Sequence, residues 1–140
     1  MPELGPVGIV LVSHSVRLAD GAADLAAQVS GGTVTVAAAG GTDDGGLGTS
    51  AAKVERAVRR ADGGAGVLVL ADLGSAVLTV RAILGDLHDV TVTLADAPFV
   101  EGAVAATVTA AGGADLTAVA KAAEEAWHAS KLGDATRVGG

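Results

Sequence analysis

Four short β-type runs, each followed by a segment with helical apolar spacing, constrain this chain more than any other feature. The runs cover residues 7–12, 33–38, 66–71 and 90–94. Between them the apolar period switches to that of a helix. Leu18, Ala22, Leu25 and Val29 fall on one face, as do Ala51, Val54, Val58 and Ala61. Val77, Val80, Leu84 and Leu87 form a third stripe, and Val100, Val104, Val108 and Ala111 a fourth. A fifth (Leu116, Val119, Ala123, Ala126, Trp127) follows the Gly112-Gly113 break. Strands alternating with helices imply a mainly parallel sheet built from right-handed crossovers, with helices on both faces.

The strand patterns also suggest an order. Runs one and three (Ile9-Val10-Leu11-Val12, Val67-Leu68-Val69-Leu70) are apolar throughout, as strands buried on both faces are. Runs two and four alternate with threonine, which suits edges. The simplest arrangement is 2-1-3-4, a flavodoxin-like doubly wound α/β fold. Its switch point lies between strands one and three, where open α/β sheets bind ligands beyond the strands' carboxyl ends.

Composition narrows the function. At 140 residues, the chain fits one domain over residues 1–129, with 130–140 expected as a disordered tail. The net charge is −7 without any Lys/Arg run, and Phe99 and Trp127 are the sole Phe, Trp or Tyr residues. Nucleic-acid binding therefore lacks both its electrostatic footprint and its stacking platforms. The absence of cysteine excludes disulfides and thiolate chemistry. No run spans a membrane, so a cytoplasmic protein is expected.

At the switch point the sequence places Ser13-His14-Ser15 after strand one and Asp72-Leu73-Gly74-Ser75-Ala76 after strand three. Both lead into helices, whose N–H groups and positive dipole ends favour anions. His14 is the candidate nucleophile, since imidazole titrates near neutrality and can take up a phosphoryl group. Asp72 is placed to orient the ring and offset its developing charge. Ser13, Ser15, Gly74, Ser75 and Thr49 are candidate phosphate contacts, although the serines equally suit helix caps. Arg17, electrostatically misplaced at a helix start, is a candidate for phosphate or partner docking. The long loop over residues 40–50 could fold over His14. Its Asp43 and Asp44 are too few for a metal, and neither metal nor cofactor is expected. Residues 46–51 fit G-x-G-x-x-A, but they stand seven residues beyond run two, too far for a dinucleotide turn. A receiver-like module would need acidic residues where Ser13-His14-Ser15 stands.

These segments, with Gly48-Thr49-Ser50 and Ala97-Pro98-Phe99-Val100-Glu101-Gly102-Ala103, resemble the mannose-type enzyme IIA domains of the phosphotransferase system. Within that family they are most similar to the dihydroxyacetone-kinase branch, DhaM, in its single-domain form. The resemblance implies a phosphotransferase with a phosphohistidine at His14 and Asp72 hydrogen-bonded to its imidazole. It further implies charging by an HPr-type phosphocarrier fed from phosphoenolpyruvate, and a homodimer. Phosphate would then pass to ADP on a DhaL-type subunit, for dihydroxyacetone held on a DhaK-type subunit. The alternatives are a mannose-branch donor to a sugar-transport IIB domain and a non-catalytic flavodoxin-like nucleotide-binding module.

Overall fold

The hydrophobic pattern resolves into four parallel strands and five helices in the computed structural model, which describes residues 4–133. In chain order these are β1 (Gly8–Ser13), α1 (Val16–Val29), β2 (Val36–Gly40), α2 (Ala51–Ala61), β3 (Val67–Ala71), α3 (Gly74–Leu84), β4 (Val92–Leu94), α4 (Phe99–Ala111) and α5 (Leu116–Glu125). A single 3-10 turn, Ala126–His128, follows α5. Residues 134–140 of the expected tail lie outside the described residues. The sheet order is β2-β1-β3-β4, the flavodoxin-like arrangement anticipated from the strand patterns. Ile9 pairs with Val36 on one side and Leu68 on the other, and Leu68 in turn pairs with Thr93.

Two cores form because both faces of the sheet are covered. Ile9, Leu11, Leu68 and Leu70 point to one face and pack against alanines of α1, α4 and α5. Val10, Val12, Val67 and Val69 point to the other and meet α2 and α3. All eight are fully buried, and burial of each such side chain is worth roughly 1.5–3 kcal/mol.

The helix faces depart from the expected stripes. Ala19, Ala22, Ala23 and Ala26 turn inward on α1, whereas Leu18, Leu25 and Val29 stay about half exposed. On α4 the inward face is Gly102, Ala103, Ala106, Thr107 and Ala110, with Val108 and Ala111 exposed. Small residues let these helices lie close against the sheet and each other; a Cβ on Gly102 would sit 3.0 Å from Leu70 Cδ2. Both helices are apolar on more than one side, so the periodicity did not say which side was inner.

The second strand also starts later than its run suggests. Val36-Ala37-Ala38-Ala39-Gly40 pairs with β1, and the Thr33-Val34-Thr35 alternation lies in the approach to it. The edge position is therefore right, though its threonine signal lies largely outside the strand. At its far end Gly40 passes so near the start of α1 that a Cβ would lie 2.7 Å from Ser15 O and Val16 Cα. That approach fixes the strand-to-helix turn that carries His14.

Candidate functional site

Ser13 ends β1, His14 bridges the turn, and Ser15 caps α1 by accepting from Leu18 N at 3.2 Å. Next to them β3 ends at Ala71, and Asp72-Leu73 leads into α3 without a side-chain cap. Because β1 and β3 are hydrogen-bonded neighbours, Asp72 N donates to Val12 O at 3.0 Å. The two turns therefore stand side by side.

The Asp72 carboxylate gathers four donors. Its Oδ2 accepts from Ser13 Oγ at 2.9 Å and from His14 N at 3.1 Å. Its Oδ1 lies 2.9 Å from His14 Nδ1 and accepts from Leu73 N at 2.8 Å. Burial acts to raise the carboxyl pKa. The His14 backbone N–H, the His14 ring and the Ser13 hydroxyl outweigh it and hold the group below the ordinary carboxylate value. An anion held by four donors is a rigid support for a ring.

On the other side of the imidazole, Nε2 lies 2.5 Å from Ser75 Oγ in the first turn of α3. The His14 side chain is 23% exposed and Asp72 9%, so the ring reaches solvent more than the carboxylate beside it. The 40–50 loop closes on the same turn. Gly48 N donates to His14 O at 3.0 Å and Gly41 N to Ser13 O at 3.1 Å. The loop is held internally by Thr42 with Asp44 and by Ser50 with Asp43. Both aspartates are thus engaged in turns, and no cluster of metal-ligating side chains occurs among the described residues.

The candidate phosphate contacts separate into two groups. Gly74 and Ser75 open α3 beside the ring, and Ser15 opens α1. Ser13 differs from expectation: it is fully buried, with its hydroxyl given to Asp72 and its oxygen accepting from Ser15 N at 3.0 Å. It lies against the carboxylate and out of solvent. Thr49 also differs, since its hydroxyl meets Thr79 at 2.7 Å and ties the loop to α3. Arg17 is exposed, and its guanidinium has no partner among the described residues. The role of Ser13 as a support was missed because sequence gave the Ser13–Asp72 pair no register; only the strand pairing supplies it.

No helix among the described residues is long and apolar enough to cross a membrane. The family model for the fructose IIA component of the phosphotransferase system, EIIA-man, matches residues 8–120. The phosphoryl donor subunit DhaM of the PEP-dependent dihydroxyacetone kinase of Escherichia coli is 42% identical over 119 residues, covering 81% of this chain and 25% of that protein. The Providencia stuartii counterpart is 39% identical, covering 89% of this chain and 28% of its own length. A shorter DhaM of kinase 2 in Listeria innocua is 36% identical, with 73% of this chain and 84% of that protein covered. The chain thus spans about a quarter of the length of the first two relatives. A solved structure of a protein of unknown function, EF1359, superposes with a TM-score of 0.75 at 38% identity, covering 85% of this chain and 93% of that one. A match over residues 8–120 that takes in both turns meeting at His14 and Asp72 shows that the chain belongs to the mannose-type enzyme IIA family of the phosphotransferase system.

Proposed function

We propose that this chain is a phosphohistidine carrier that accepts a phosphoryl group on His14 Nε2. The observation that carries the reading is the 2.9 Å contact between His14 Nδ1 and Asp72 Oδ1. An ionised carboxylate only accepts hydrogen bonds, so Nδ1 bears the proton and Nε2 presents its lone pair. Ser75 then donates its hydroxyl proton to Nε2 and must rotate aside as phosphate arrives.

As the N–P bond forms, the bond from phosphorus to the donor breaks and its electron pair leaves with the donor. The ring becomes imidazolium-like, and the Nδ1 proton stays shared with Asp72, whose charge offsets the ring's. In this reading the N–H groups opening α1 and α3, with the Ser75 and Ser15 hydroxyls, receive the phosphoryl oxygens; each helix start contributes roughly 0.3–1 kcal/mol toward an anion. Such weak, separate contacts suit a group that must leave again. Phosphoryl transfer asks chiefly for positioning and charge stabilisation.

The donor in this reading is an HPr-type phosphocarrier. The acceptor is ADP on a DhaL-type subunit, which serves dihydroxyacetone on a DhaK-type subunit. The relatives named DhaM favour this branch over delivery to a sugar-transport IIB domain. A homodimer fits the outward stripe of Leu18, Leu25 and Val29 on α1.

Reconstitution with enzyme I, HPr, phosphoenolpyruvate and both kinase subunits tests the scheme. Dihydroxyacetone phosphate should form only when this chain is present, with acid-labile, base-stable phosphate on His14. His14→Ala should stay folded and carry no label. Transfer that survives this substitution overturns the reading.

A further inference from the structure

Two hollows flank the His14 turn, and each contains an arginine that the phosphohistidine chemistry does not use. One, of about 420 Å³, lies between Ser15, Arg17 and the loop residue Leu47. The other, of about 410 Å³, lies between Asp72, Leu73, Arg81 and Trp127. Neither guanidinium has a hydrogen bond or ion pair among the described residues. Each hollow also holds a leucine turned to solvent: Leu47 is 84% exposed and Leu73 62%. Trp127 and Asp96 line the same hollow as Arg81, and Trp127 Nε1 donates to Asp96 O at 3.0 Å.

In a chain of net charge −7, two unpaired cations, one in the hollow beside Ser15 and one in the hollow beside Asp72, run against the overall charge. Discharge of a phosphohistidine to a nucleoside diphosphate brings two anions within bonding distance. The first turns of α1 and α3 offer partial charges and hydroxyls, but no full positive charge is bonded to the ring or its carboxylate. We propose that Arg17 and Arg81 are the cationic flanks that receive a nucleoside-diphosphate-bearing acceptor protein over His14, with Leu47 and Leu73 as its apolar footing. The proposal rests on the phosphohistidine reading and adds the surface and charge that select the acceptor. In the step itself an oxygen of the terminal phosphate of ADP forms the new O–P bond. The N–P bond breaks, its electron pair returns to Nε2, and ATP leaves on the acceptor.

The experiment separates charging from discharge in the full chain. His14 is charged with phosphoramidate, a donor too small to need a docking surface, and then discharged to the ADP-loaded kinase subunit at increasing concentration. Arg81→Gln and Arg17→Gln should each raise KM for that subunit about tenfold while kcat changes by less than about twofold, as expected for charges at the rim of an interface. Arg81→Lys should restore most of the loss, Leu47→Ser should raise KM likewise, and added salt should narrow the gap between wild type and the arginine variants. An unchanged KM in both arginine variants, or a fall in kcat alone, overturns the proposal. Failure of the wild-type phosphoprotein to discharge at all would instead overturn the underlying reading, and the acceptor surface with it.

Discussion

His14 Nδ1 and Asp72 Oδ1 stand 2.9 Å apart across 58 residues of sequence, joined by the pairing of β1 with β3. The same carboxylate also accepts from the His14 backbone N–H at 3.1 Å. Ring and backbone are therefore held by one anion, which leaves the imidazole little freedom to turn. In the proposed carrier role, an imidazole fixed in this way would meet phosphorus without first paying the entropy of orientation.

Removing that anion should slow the chemistry without ending it. In Asp72→Ala the ring loses its orienter and the counter-charge for its imidazolium form. Charging of His14 by phosphoramidate should fall on the order of 10²- to 10⁴-fold, the scale seen when an orienting carboxylate is lost. Quench-flow labelling measures it; a rate equal to wild type would remove Asp72 from the mechanism.

Ser13→Ala tests the support beneath the carboxylate. The change deprives Asp72 of one donor and leaves Ser15 N without its acceptor, at a cost of about 1–3 kcal/mol. The Asp72 pKa is lowered in the folded state, so its contribution is fully present above the unfolded value near 4 and is lost as pH falls through the lower folded value. Loss of the Ser13 donor brings the folded pKa back toward the unfolded one. The stability gap between wild type and variant should therefore be full at neutral pH and shrink in acid. Urea melts from pH 7 to about pH 2 decide this, and a gap that widens as pH falls contradicts it.

Gly40→Ala should strain the turn from a distance. The added methyl would meet Ser15 O and Val16 Cα at 2.7 Å, and the first turn of α1 would have to move. A loss of about 1–3 kcal/mol is expected, together with slower charging of His14. Gly21→Ala is the contrast, since it lies within α1 with nothing near its Cβ position. That substitution should stabilise by about 0.5–1 kcal/mol. Thermal melts that rank the two variants the other way would refute the close-approach argument.

Much of this was legible in the residues. The apolar runs Ile9-Val10-Leu11-Val12 and Val67-Leu68-Val69-Leu70 can be buried only as central strands, and that placed their ends, with His14 and Asp72, at the switch point. Period and hydropathy are local properties, and a local pattern suffices when a strand is apolar on both faces. The alanine-lined inner faces of α1 and α4 were decided elsewhere, because Ala22 and Leu18 satisfy the same helical period and only the depth of the sheet beneath selects the smaller side chain. Ser13 is the sharper case. Its residue type suited a phosphate contact, and the register of β1 against β3 turned its hydroxyl under Asp72 instead. Sequence determined which side chains could carry the chemistry; tertiary structure decided which of them meet at the His14 ring and which lie buried under Asp72, since distances across a sheet are written in no single segment of chain.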